Sequence, residues 1–214
     1  CDKIARSIII LARTALLCCE TTQDYVWHEL DELPLLQRGL IFAQNSGFAA
    51  PFTEIIAERA PVYEKASIDE HYLDITGMDR FFGSLKWTHE LRERIIRESG
   101  LPISLGLSVN KTVSKIATGE AKPNGEIQVE APRVKPFLAP LSIRKIPMLG
   151  LKSYQLLRSM GVVNIDTLSR IPPEMMEKLM GKNGLGIWKK ANGIDNAPVM
   201  PYSERKSIRT ETTF

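Results

Sequence analysis

Apolar residues change their spacing along this chain, and each change marks an element. Ile103, Leu105, Leu107 and Val109 alternate strictly with their neighbours, the two-residue period of a half-buried strand. Val62, Ile68, Tyr72, Leu73 and Ile75 predict two strands over 62–75 that meet near Ser67. Between these runs, Leu91, Ile95 and Ile96 share one side of a helix over 88–99, with Arg92, Glu93 and Arg97 elsewhere. Ile55, Ile56 and Ala57 read as the end of a helix over 53–59, closed by Pro61, and 77–83 reads as a turn region. A further helix over 111–121 is broken by Lys122-Pro123-Asn124-Gly125. Strand, strand, helix, strand, helix predicts an α+β layer, an antiparallel sheet with helices on one face.

Past Pro132 the apolar residues gather into short runs separated by Gly and Pro. Helices over 152–160, 173–180 and 185–192 end at Gly161, Gly181 and Gly193, with a short one over 166–170 among them. This predicts a small all-helical domain over 132–203, ending in a linker from Asn196. Residues 204–214 read as the start of a further domain. Residues 1–52 show no clear period. Their apolar run, 7–19, is interrupted by Arg13 and is shorter than the roughly 20 residues that cross a bilayer. Neither a membrane span nor a secretory signal is expected.

With 214 residues and 43% hydrophobic content the chain can bury a real core. Cys1, Cys18 and Cys19 suit neither a disulfide framework nor a spaced zinc site, so a reducing cytoplasm is the expected compartment. The net charge of +3 hides an asymmetry: residues 132–214 carry +8 and residues 1–131 carry −5. A basic C-terminal part points to a phosphate-bearing partner.

The chemistry sits in Ser67-Ile68-Asp69-Glu70-His71-Tyr72-Leu73-Asp74. Two adjacent carboxylates at a strand bend can converge on a divalent cation, which prefers oxygen ligands; a solvated hairpin corner is the plainer reading. The stretch resembles the second palm motif of the Y-family (ImpB/MucB/SamB, DNA polymerase IV-like) translesion DNA polymerases, with His71 where Ala is usual. Ser108-Val109-Asn110-Lys111, Lys115-Ile116-Ala117 and Lys122-Pro123-Asn124-Gly125 follow in the family's order. The resemblance covers residues 53 to 214. It implies a palm over 53–131, a thumb over 132–203 and the start of a little-finger domain over 204–214.

By that resemblance Asp69 and Glu70 are the catalytic, metal-holding carboxylates of a two-metal nucleotidyl transfer using Mg²⁺. Lys122 is the lysine that meets the incoming triphosphate. Lys111 and Lys115, four residues apart on one helix face, could meet phosphates, but a solvated face accounts for them nearly as well. Ile146-Pro147-Met148-Leu149-Gly150-Leu151-Lys152 resembles a helix-hairpin-helix, which offers backbone N–H groups to a DNA phosphate. Met148, Leu149, Gly150 and Lys152 are therefore the expected DNA contacts, with Met148 where the pattern has its first Gly. Met148, Met160, Met175, Met176 and Met180 are expected to fill the helical core. His28, His71 and His89 form no ligand set.

The chain departs from the family at its start. Arg6-Ser7-Ile8-Ile9 matches the first palm strand, but Ala12 and Thr14 hold its two Asp positions. No steric-gate aromatic pair or fingers Tyr and Arg follows, and 1–52 is short for a strand plus fingers. A shifted reading frame is one account, because codons for residues 45–50 read one base earlier can give a fingers-like motif. The expectation is thus a monomeric fragment of an error-prone polymerase acting on primer-template DNA and deoxynucleoside triphosphates, with any sliding-clamp contact in missing regions and with weak or no activity of its own. The alternative is a non-catalytic DNA-binding module. A palm-like nucleotidyl cyclase fits less well, since its Gly-Gly-acidic turn is absent.

Overall fold

The computed structural model describes residues 8–13, 49–67, 69–78 and 83–201. The cysteines, His28, the shifted-frame stretch up to residue 48 and residues 202–214 lie outside them. Five strands form one sheet in the order β2-β3-β1-β4-β5: β1 (Ile8–Arg13), β2 (Val62–Lys65), β3 (Glu70–Asp74), β4 (Ile103–Ser108) and β5 (Glu126–Val129). Strand β1 lies between β3 and β4, antiparallel to both, and sets Ala12 opposite Glu70 on one side and Ser104 on the other.

Two expectations need correction. The sheet is mixed, because β5, absent from the sequence reading, adds parallel to β4. A parallel neighbour requires a crossover, and α3 (Lys111–Glu120) supplies it. The helices also cover both faces. Strand β4 is buried at all six positions, not half-buried. Its Ile103, Leu105 and Leu107 join Leu73, Phe52, Ile56, Leu91 and Ile95 in a core beneath α1 (Ala49–Arg59) and α2 (Ser84–Ser99). The small residues between them, Ser104, Gly106 and Ser108, let α3 pack against the other face. A Cβ on Gly106 would stand 2.3 Å from the Ser114 carbonyl oxygen.

The turn after α3 is fastened from the far side of the sheet. Arg92 of α2 is buried and donates Nε–H to the Ile103 carbonyl (2.9 Å) and Nη2–H to the Asn124 carbonyl and Oδ1 (2.6 and 2.8 Å). Beyond β5 come α4 (Val134–Leu138), α5 (Leu151–Ser159), α6 (Ile165–Ser169) and α7 (Pro173–Ala191). The expected stop at Gly181 survives as a break inside α7, where φ is 63°. Val113, Ile116 and Ala117 of α3 and Val129 of β5 share one apolar core with Val134, Leu138, Leu157, Leu168, Met176 and Ile187. One core therefore runs from the sheet layer into the helices without a seam. Among the described residues no helix is long and apolar enough to cross a membrane.

Candidate functional site

The hairpin joining β2 to β3 closes when the Ala66 and Ser67 amides both donate to the Glu70 carbonyl (3.0 and 3.2 Å). This leaves Asp69 in the bend, where its Oδ1 accepts from Ser67 Oγ at 2.6 Å, and makes Glu70 the first residue of the strand. Alternation then sends Glu70 and Tyr72 to the α3 face and His71 and Leu73 to the other. Over the α3 face, Lys115 Nζ donates to both Glu70 carboxylate oxygens (2.6 and 2.7 Å). Lys111 Nζ donates to both oxygens of Glu64 (2.8 and 2.7 Å) and stands 4.5 Å from the Tyr72 ring centre. Burial and the neighbouring Glu70 push the Tyr72 hydroxyl well above the usual phenol range.

These residues line one wall of a cleft of about 590 Å³, and Pro147, Met148, Lys190 and Asp195 line the other. Its charged lining balances: Glu64, Glu70 and Asp195 against Lys111, Lys115 and Lys190. Asp195 Oδ2 accepts from the Thr112 amide (3.1 Å) and hydroxyl (2.7 Å), joining the C-terminal segment to the start of α3. Lys190 Nζ donates to the Pro147 carbonyl (3.1 Å). The sequence left Lys111 and Lys115 without a role and did not single out Glu64 or Asp195. Only the i, i+4 spacing of the two lysines hinted at a shared face; their partners lie 47 and 45 residues away.

Of the expected site residues, the structure brings Glu70 and Met148 to this cleft. Asp69 stands beside it in the bend, outside its lining. Lys122 is exposed in the turn after α3. Because α3 runs back along β4, that turn lies at the sheet end where Ala12, Glu70 and Ser104 are in register. Leu149 packs partly into the helical core, whereas Gly150 precedes α5 and Lys152 is exposed on its first turn. Met148 has φ 67°, the left-handed conformation that favours glycine, and is 91% exposed. No side chain caps α5, so its first amides face outward unpaired by a cap.

The methionine expectation holds for Met176, which is buried, and for Met180, which packs on the core. It fails for Met148, Met160 and Met175, which are exposed. His71 is buried against Phe52, edge to face with ring centres 4.7 Å apart, and its Nε2 lies 3.1 Å from Thr53 Oγ1. Burial, then the nearby Lys65 charge, lowers its pKa to about 4, against a smaller upward pull from Asp69. His89 instead pairs with Glu126 at 3.1 Å on the surface.

Among the described residues no group of three or more His, Cys, Asp or Glu could hold a metal ion. What is present is the pair Asp69 and Glu70, with alanine, which has no donor atom, across the strand ladder from Glu70.

Residues 42–119 match the impB/mucB/samB family. A DNA polymerase IV of Dehalococcoides mccartyi is 38% identical over 168 residues, covering 78% of this chain and 43% of that protein. The chain thus spans less than half the length of this relative. The crystal structure of a DinB family error-prone DNA polymerase from Sulfolobus solfataricus superposes with a TM-score of 0.69 over 91% of this chain and 68% of its own, at 19% identity. A Y-family DNA polymerase chimera matches at TM-score 0.66 and 26% identity, over 78% of this chain and 48% of its own.

Proposed function

Given that this chain belongs to the impB/mucB/samB, or Y-family, polymerases, we propose that it is part of an enzyme that copies DNA past lesions with low fidelity. Residues 53–131 serve as its palm and 132–203 as its thumb; 204–214 open a little finger. Primer-template DNA and deoxynucleoside triphosphates are its partners.

The observation that carries this reading is Glu70, whose two oxygens chelate an ammonium group inside a cleft between the sheet and the C-terminal helices. A carboxylate that already holds a cation with both oxygens, beside a second carboxylate in the same bend, suits a hard divalent ion whose remaining ligands are water and substrate phosphate. Asp69 and Glu70 would hold Mg²⁺, which supplies Lewis-acid stabilisation of the charge on the transferring phosphoryl group. Lys115, which now holds both Glu70 oxygens, would have to release them to such an ion, and its ammonium would then be free to meet a substrate phosphate. Lys122 meets the triphosphate as a point charge from the adjacent turn. Duplex backbone lies across the exposed first turn of α5, where Leu149, Gly150 and Lys152 form a helix-hairpin-helix edge and Met148 projects beside it.

Ala12 opposite Glu70 supports a second reading, a chain that grips DNA without chemistry. Single-nucleotide primer extension with Mg²⁺, run beside Asp69→Ala and a duplex-binding titration, decides between them. The expected result is salt-dependent duplex binding with little or no extension. Extension that Asp69→Ala abolishes would show a working palm without its third carboxylate. Ala12→Asp alone is not expected to restore synthesis, since no fingers residues follow it. Absence of duplex binding would overturn both readings.

A further inference from the structure

We propose that Arg92, on the opposite face of the sheet from the cleft, is a positioning residue for Lys122: it holds the Lys122-Pro123-Asn124-Gly125 turn in the orientation that presents the ammonium to a nucleotide triphosphate. The inference rests on the polymerase reading and assigns a role within the same site.

Arg92 is buried, at 8% exposure. Taking a guanidinium out of water costs several kcal/mol unless its N–H groups are met. A leucine at this point of the α2 face would extend the apolar core of Leu91 and Ile95 without that cost. The guanidinium instead reaches two carbonyls on separate segments. Its Nε–H goes to Ile103, where β4 begins, and its Nη2–H to the carbonyl and Oδ1 of Asn124. Nη1 is neutralised at the surface by Glu93 (2.7 Å).

Two backbone bonds also hold the turn. The Gly125 amide donates to the Ala121 carbonyl (2.9 Å), and the Gly125 carbonyl accepts from the Leu105 amide (3.0 Å). Both end on Gly125, three residues past Lys122, whereas the Arg92 fork ends on Asn124. Asn124 has φ 50°, a left-handed conformation that Asn tolerates better than most residues, and Arg92 meets its side-chain oxygen from 32 residues away. The fork thus fastens the residue two past Lys122 to the first residue of β4, next to the end of the ladder that carries Glu70. Its rigid planar donors suit this task, whereas an ammonium could satisfy one acceptor well.

The test is a titration of the 15N-labelled full chain with inorganic tripolyphosphate in Mg²⁺, read from the amide shifts of Ala121, Lys122, Asn124 and Gly125. Lys122→Ala is expected to weaken binding about tenfold, a loss of one charge-assisted contact. Arg92→Lys, which keeps the charge, is expected to match that loss. The double variant Arg92→Lys/Lys122→Ala should bind no more weakly than either single one, as for two residues acting through one contact. Asn124→Gly removes the side-chain acceptor while keeping the turn conformation, and should lose about threefold. It carries the test if Arg92→Lys fails to fold. Wild-type affinity in both Arg92→Lys and Asn124→Gly, or additive losses in the double variant, overturns the positioning role. Wild-type affinity in Lys122→Ala overturns the nucleotide role of that lysine, and the inference falls with it.

Discussion

At His71 an ionisable ring has been placed where the family's motif carries alanine, and burial holds it neutral. Its pKa of about 4 lies below the ordinary 6.5, so between those values the unfolded chain binds a proton that the folded chain refuses. Stability is therefore full above pH 6.5 and falls as pH drops toward 4, by up to about 3 kcal/mol at one pH unit per 1.4 kcal/mol. Urea unfolding at pH 7.5 and 4.5 checks this: His71→Ala should be less stable at pH 7.5, from the cavity beside Phe52, yet show the smaller acid loss. Equal acid losses in both proteins would reject the assignment. Met148 is the second residue whose setting departs from its type. A side chain at φ 67° costs about 1–2 kcal/mol, partly offset by the flexibility of glycine, so Met148→Gly should raise stability by roughly 0.5 kcal/mol in thermal denaturation. Duplex affinity should not fall, because the α5 amides are untouched.

Among the elements, α3 connects the most features. It bridges β4 to β5, covers the sheet with one side, seeds the helical core with Val113, Ile116 and Ala117, and sends Lys111 and Lys115 into the cleft. Its end was legible from the Lys-Pro-Asn-Gly stop. Asn110 caps it by accepting from the Val113 amide at 3.0 Å, as an Asn before a helical run predicts. Its docking depends on Gly106. Gly106→Ala would drive a methyl into the backbone of α3, which cannot turn aside as a side chain can. We expect a loss in the upper part of the roughly 1–3 kcal/mol span of overpacking, measured by chemical denaturation. The strict alternation in β4 reads as a half-buried strand because Ser104, Gly106 and Ser108 look like solvent-facing positions. A helix seated on small residues leaves that same signature. Strand β5 escaped the sequence reading because its four residues, Glu-Ile-Gln-Val, offer too short a pattern and owe their extended form to β4.

Across the whole molecule, the segment after α7 returns to the sheet layer and ties the two parts together. Asn110 Nδ2 donates to the Gly193 carbonyl (2.8 Å), Asp195 takes the Thr112 amide, and the Met200 amide donates to Glu64 Oε2 (2.7 Å). Val199 is buried against Tyr72. Asp195→Ala removes a distant cap from α3 and should cost about 1 kcal/mol. It should also speed hydrogen exchange at the Met200 amide, if the strap opens as one unit. Unchanged exchange there would mean that Glu64 and Val199 hold the strap without Asp195. Because Glu64 and Glu70 pair with Lys111 and Lys115, and Asp195 offsets Lys190 in number, the free protein presents a balanced cleft despite its basic C-terminal half. Duplex binding should therefore fall with salt by the count of exposed cations such as Lys152, not of those in the cleft.

Local order settled much of this protein in advance. Period and the Gly and Pro stops placed most strands and helices within a few residues, because each is set by neighbours three or four positions away. The Asp69-Glu70 bend, the Lys122 turn and the 146–152 hairpin were likewise found from contiguous residues. Only the tertiary structure decided that Glu70 holds Lys115 and Glu64 holds Lys111, that Arg92 reaches Asn124, that β5 is parallel, and that one core joins sheet and helices. Each of these joins residues tens of positions apart, and such pairings follow from which faces pack together, which no local spacing records.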